Sequence, residues 1–213
     1  QRVTDKSIRQ FLADEILDPL GFRDLNYGID AERLDEVAQS AFTGPPLPPP
    51  VGKIAKRALG VPFEEAAVIG NSPSYLTSVV PAGNVVANAN ETGRFFELML
   101  RGGTLDGIEV FDPRTIRRAT NESAFLEVDF TIGLPVRYSL GLMLGSRRLS
   151  LYGADTRRAY GHLGFINIVA WADPERDVSA ALLTSGKPLV GPHLATTYGA
   201  LSGIAQTIPK VTR

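Results

Sequence analysis

Apolar residues recur at helical spacing in the first two thirds of the chain and at strand spacing in the last third. From Ser7 to Ile16, a Ser7-x-x-Gln10 capping box opens a segment whose Ile8, Phe11, Leu12 and Leu17 share one helical face. A shorter helix is predicted from Asp30, with Leu34, Val37 and Ala41 on one side. Thr43 to Pro50 reads as an extended polyproline stretch, followed by a segment of low periodicity to about Val80. That stretch is either a surface connector or a ligand for a proline-recognising module, and a connector needs no partner. The next helix runs from Ala89 to Arg101, with Asn88 and Glu91 at the capping positions and Gly102-Gly103 as its stop. Its Phe95, Phe96, Leu98, Met99 and Leu100 are too many for one stripe, which predicts burial on more than one side. Asp112-Pro113 opens a further short helix, with Arg117 and Arg118 suited to the negative pole at its end.

After Pro135 the period shortens. Strands are expected over Arg137 to Leu144, Arg148 to Tyr152, Ile166 to Trp171 and Val178 to Thr184. The turn signal Ala172-Asp173-Pro174-Glu175-Arg176-Asp177 joins the last two as an antiparallel hairpin. Thr184-Ser185-Gly186-Lys187 reads as a loop closing that strand. Beyond Pro192, Leu194, Tyr198, Leu201 and Ala205 fall on one face of a terminal helix ending before Pro209. The order predicts an α+β chain: residues 1–135 form part of a helical lobe, and 136–213 form late strands of an antiparallel sheet with a C-terminal helix.

Charge narrows the partners. With 22 basic and 23 acidic residues, the chain has no bias toward nucleic acid or anionic membrane. The absence of cysteine excludes disulfides, thiol catalysis and thiolate-bound metal, and the two histidines, His162 and His193, lack ligand spacing. No metal or cofactor is expected, and a small-molecule partner is.

The most informative local feature is Tyr160-Gly161-His162-Leu163-Gly164-Phe165, which runs into the apolar stretch from Ile166. Glycines on both sides of a histidine at a strand end leave backbone open to close approach. Two readings stand: an ordinary satisfied strand-end histidine, or one side of an active site.

The run from His162 through the hairpin to the terminal helix resembles the end of the serine β-lactamase-like and penicillin-binding-protein-like hydrolases. The branch it resembles contains class C β-lactamases and family VIII carboxylesterases. Asp18-Pro19-Leu20-Gly21-Phe22 is similar to the family's PLGM segment, with Phe22 in place of methionine. Pro81 to Phe95 resembles its P-x-G-x-x-S-x-x-D-x-x-R-F motif, and Gly102 to Gly107, Asp112 to Thr115 and Tyr138 to Leu142 match later motifs in order. The resemblance implies a β-lactamase/transpeptidase-like fold: an antiparallel sheet flanked by helices with a helical lobe, represented here by its C-terminal part.

The same resemblance exposes what is missing. Such hydrolases use the serine of S-x-x-K as nucleophile and a tyrosine of Y-x-N or Y-x-S as proton relay. No serine here is followed by lysine at the third position, and no tyrosine by asparagine or serine at the second. Both motifs precede the PLGM segment in the family, so the expectation is a C-terminal portion completed by an upstream segment or another chain. The resemblance assigns His162 and the backbone amide of Phe165 to catalysis, and Leu163 and Gly164 to substrate binding. Leu163 stands where the family has a hydroxyl residue that helps hold a β-lactam carboxylate, which favours an ester or amide hydrolase other than an efficient β-lactamase. The competing expectation is a non-catalytic β-lactamase-like binding module. Localisation stays open between the cytoplasm and cell envelope of a bacterium.

Overall fold

The computed structural model of the chain describes residues 3–81, 83–129, 134–148, 150–165 and 167–211. Helix α1 (Ile8–Leu12) starts where expected, with Ser7 Oγ accepting from the Gln10 amide at 3.1 Å. The Gln10 side chain turns to Asp14 Oδ1 at 2.5 Å instead of closing the capping box. The helix then widens into a π-helical turn over Ala13–Leu17. The wider turn rotates the buried face: Ile16 and Leu17 enter the core, while Ile8 and Phe11, expected inside, stay 41% and 36% exposed.

Strand β1 (Asn26–Tyr27) leads into a 3-10 helix, Ala31–Glu36, instead of the amphipathic helix expected from Asp30. None of its residues is buried, so no packing sustains a longer helix, and Val37 is already extended. The proline run is also shorter than its composition suggests. Helix α2 (Pro49–Leu59) begins inside it, because proline at the first helical positions gives up only N–H groups that have no partner there. Helices α3 (Phe63–Gly70) and α4 (Pro73–Leu76) follow. The low periodicity expected up to Val80 does not hold for α2, where Val51, Ile54, Ala55, Ala58 and Leu59 recur at helical spacing although only Ala55 is buried; α3 buries only Phe63 and Ala67.

Strand β2 (Val85–Val86) pairs antiparallel with β1. Helix α5 (Ala89–Leu100) then crosses the centre of the molecule. Asn88 Oδ1 caps it by accepting from the Glu91 amide at 2.8 Å. The buried Glu91 carboxylate does not cap the helix; it accepts from the backbone amides of Arg23, Asp24 and Leu25 at 2.8, 2.9 and 2.7 Å. Arg94 adds a second tie to the same segment, with its guanidinium 4.8 Å from the Phe22 ring centroid and Nη2 donating to the Leu20 carbonyl at 3.1 Å. The resemblance-bearing segments around Leu20 and Arg94 are thus one packed unit. Burial on two sides is as expected: Leu98 joins Ile16, Leu17 and Phe22, whereas Phe96 and Met99 face the sheet.

A small hairpin, β3 (Thr104–Leu105) with β4 (Ile108–Glu109), leads to α6 (Pro113–Thr120), where Asp112 Oδ1 caps the Arg114 amide at 2.6 Å. The main sheet comprises β5 (Ala124–Asp129), β6 (Leu134–Tyr138), β7 (Met143–Leu144), β8 (Tyr160–Leu163), β9 (Val169–Asp173) and β10 (Val178–Leu182). All neighbours are antiparallel, in the order β10-β9-β8-β7-β6-β5.

The strand expected over Arg148 to Tyr152 is absent among the described residues of that stretch; Leu149 lies outside them. Residues 146–156 close on themselves instead, with the Asp155 and Thr156 amides donating to the Arg147 and Ser146 carbonyls, each at 3.1 Å. Its apolar residues serve packing: the Tyr152 ring stacks on Trp171 at 6.0 Å, and its hydroxyl donates to the Met143 carbonyl at 2.9 Å.

Strand alternation gives the sheet two faces. Tyr160, Ala170 and Ala172 face α5 and α6 with Phe96, Met99 and Ile116. Met143, Val169 and Trp171 face the other way, against Leu201 of α7 (His193–Thr207). On α7, Leu201 and Ala205 are buried, while Leu194, expected on the same face, is 51% exposed. The architecture is α+β, an antiparallel sheet with helices on both faces.

Candidate active site

Strand β8 lies inside the sheet between β7 and β9, in register Gly161↔Trp171, His162↔Ala170 and Leu163↔Val169. Glycine at 161 follows from this position. A Cβ there would run into the Ala170 carbonyl oxygen and lie 2.7 Å from Trp171 Cα. The close approach expected at this glycine is therefore made by the neighbouring strand. Gly164 is different: a Cβ there would meet only the Ile168 side chain, at 2.9 Å from Cγ2 and 3.0 Å from Cβ, and residue 164 is exposed.

His162 shares the α5 and α6 face with Tyr160 and is exposed beyond the helices' cover. Its Nδ1 lies 2.7 Å from the Leu163 carbonyl oxygen. A carbonyl can only accept, so Nδ1 carries a proton and is committed to this contact, leaving Nε2 as the ring nitrogen not so engaged. Two residues back, burial pushes the Tyr160 phenol up to about 12, so it stays protonated at neutral pH. Leu163 points to the opposite face and packs against the Met143, Tyr152 and Trp171 cluster.

The chain then turns between β8 and β9. Gly164 N–H donates to the Ile168 carbonyl at 2.8 Å, and Asn167 adopts a left-handed backbone with φ of 56°. Ile166 lies outside the described residues. Among the described residues the Phe165 amide donates no hydrogen bond. Its ring stacks on Phe63 at 5.1 Å with 29° between planes. The structure thus brings His162, Gly164 and Phe165 to one end of the sheet, while the Leu163 side chain leaves on the other face.

Lys187 lies near the same turn. Thr184 Oγ1 donates to the Asn167 carbonyl at 3.0 Å, and Lys187 Nζ donates to the Thr184 carbonyl. The 184–187 segment is a loop, as expected, but an anchored one: Ala41 bridges Gly186, and the Lys187 amide donates to the Ala41 carbonyl at 2.8 Å. Lys187 is 2% exposed, and burial lowers its amine below the ordinary lysine value. The sequence places it at the end of a loop and does not mark its burial, because lysine normally stays at the surface. Among the described residues, no group of three His, Cys, Asp or Glu side chains could hold a metal ion. Cavities of about 140 and 310 Å³ lie in the helical lobe; the first is lined by Arg9, Asp18 and Arg33 and the second by Leu34, Asn71 and Leu76.

Comparisons with known proteins agree on a single family. A family model described as Beta-lactamase matches residues 1–203. Esterase/beta-lactamase LipL of Mycobacterium tuberculosis is 27% identical over 97% of this chain and 49% of its own length. A penicillin-binding protein homolog from Caulobacter crescentus superposes with a TM-score of 0.72 at 25% identity, over 97% of this chain and 54% of its own. A family VIII carboxylesterase does so with a TM-score of 0.72 at 22% identity, over 94% and 52%, a likeness of fold. The chain therefore spans about half the length of the relatives it matches. With the sheet, the central helix and the sequence match in agreement over nearly the whole chain, the protein belongs to the β-lactamase family of hydrolases.

Proposed function

We propose that this chain is the C-terminal portion of a serine acyl hydrolase that acts on carboxylic esters through a serine acyl-enzyme. The nucleophile and the tyrosine relay come from residues upstream of Gln1 in the full-length protein. The observation that carries the reading is the Phe165 amide, which donates to no described residue at the sheet end where His162 is exposed. Acyl transfer needs two N–H donors aimed at the developing oxyanion, and loss of one typically costs roughly 10²–10³ in rate. The Phe165 amide serves as one donor and the nucleophile's own amide as the other. His162 Nε2, with Nδ1 committed to the Leu163 carbonyl, polarises the surroundings of the nucleophile.

Substrate class follows from Leu163. Leucine offers a β-lactam carboxylate no hydrogen bond, and here its side chain packs on the far face of the sheet. Esters lacking a carboxylate beside the scissile group fit better.

A fluorophosphonate probe tests the reading on the full-length protein. The expected result is a single label on a serine upstream of Gln1, together with turnover of p-nitrophenyl esters faster than of a chromogenic cephalosporin. The absence of both S-x-x-K and the tyrosine motif from these residues supports the second reading, a non-catalytic binding module. A full-length protein that takes no label and turns over no ester would establish that alternative.

A further inference from the structure

The Phe165 amide sits on the turn that follows the last ladder pair, Leu163↔Val169. The turn is pinned on both sides of Phe165. Gly164 N–H holds the Ile168 carbonyl at 2.8 Å, and Thr184 Oγ1 holds the Asn167 carbonyl at 3.0 Å. No described group takes the Phe165 N–H itself, so no hydrogen bond of its own fixes its direction.

The Phe165 side chain adds a restraint on that backbone, because it meets a fixed surface. Phe63, the first residue of α3 and 3% exposed, stacks its ring on Phe165. Behind it, Phe42 packs edge-on against Phe63 at 5.8 Å and 74°. Phe42 is held in turn, because Ala41 N–H donates to the Ser185 carbonyl at 2.9 Å and Asn71 bonds both backbone groups of Ser40 at 2.8 and 2.7 Å. The aromatic chain thus connects the helical lobe, the loop beyond β10 and the turn that carries the amide. Stacking holds the Phe165 ring in place, and a ring held in place restrains, through Cβ, how far its backbone can shift.

We infer that Phe63 is a positioning residue for acyl transfer, setting through its stack on Phe165 the direction of the Phe165 N–H toward the oxyanion. The inference rests on the reading of Phe165 as an oxyanion donor. A donor turned away from the developing charge binds substrate as before but stabilises the transition state less, so the effect falls on kcat and not on KM.

The test uses the full-length protein with p-nitrophenyl butyrate and the variants Phe63→Leu, Phe63→Tyr, Phe165→Leu and the Phe63→Leu/Phe165→Leu double. Phe63→Leu is expected to lower kcat by about 10- to 10²-fold, as misplacement of a reacting group by an ångström can. KM should stay within about threefold, and Phe63→Tyr, which keeps the ring, should restore kcat to near wild type. The double variant should be no slower than the slower single, because both remove one contact. Should Phe63→Leu fail to fold, Phe165→Leu alone is expected to show the same fall in kcat at unchanged KM. An active wild type whose kcat moves by less than about twofold in the folded single variants, or whose losses multiply in the double, overturns the positioning role while the hydrolase reading survives. A wild type that takes no fluorophosphonate label overturns both.

Discussion

Asp173 and Arg176, three residues apart in the β9–β10 turn, form an ion pair of 2.8 Å with side chains only 2% and 6% exposed. The guanidinium also reaches the carbonyls of Ala205 in α7 at 2.6 Å and Asp155 at 2.9 Å. One side chain thus ties the hairpin, the 146–156 loop and the terminal helix together. Arg176→Met should cost about 3–5 kcal/mol, because Asp173 is left charged and buried. The double change Asp173→Leu/Arg176→Met should recover part of that loss. Urea unfolding measures both, and a single-variant loss below about 1 kcal/mol would rule out a structural role for the pair.

Lys187 predicts a pH dependence of opposite sign to that of a lysine held in a salt bridge. Burial depresses its folded-state pKa, so between that value and the ordinary lysine value the unfolded chain binds more protons. Its contribution therefore favours folding above the ordinary value, near pH 10.4, and is lost as pH falls through the depressed value. Lys187→Met should be at least as stable as wild type at neutral pH. The gap in melting temperature between the two should narrow as pH rises toward about 10. A gap that stays constant with pH would mean that the amine is not desolvated.

His162→Ala separates site from scaffold. The ring is exposed and its hydrogen bond goes to the adjacent residue's own carbonyl, so stability should move by less than about 0.5 kcal/mol. If His162 polarises the nucleophile's surroundings, kcat/KM of the full-length protein falls by about 10²-fold or more. Kinetics and thermal melting on the same sample decide, and a variant that unfolds returns His162 to a purely structural place.

The two glycines around His162 should respond differently. Gly161→Ala forces a methyl group into the β9 backbone and should destabilise by about 3 kcal/mol or more. Gly164→Ala meets only the Ile168 side chain, which can shift, and should cost about 1 kcal/mol. Equal losses at both positions would contradict the register of β8 against β9.

Legibility followed local strength of pattern. The caps of Ser7, Asn88 and Asp112, the run of α5 and the β9–β10 hairpin could be read directly, since each depends on residues within a few positions of one another. The helix α2 was missed because its start lies inside the proline run, which reads as extended chain, and α3 because only two of its residues are buried. The stretch around Tyr152 was taken for a strand because the stack of Tyr152 on Trp171, far away in sequence, outweighed a misleading local period.

The sequence by itself determined the α+β class, the family resemblance and the His162-Leu163-Gly164-Phe165 motif, all of which are patterns of residue type and spacing. Only the tertiary structure decided that Gly161 serves β9, that Leu163 leaves on the face away from His162, and that Phe63 and Lys187 stand beside the β8–β9 turn. These depend on strand register and on contacts between residues far apart in the chain. Such contacts form only when burial of the whole core outweighs the entropy of closing the loops between them.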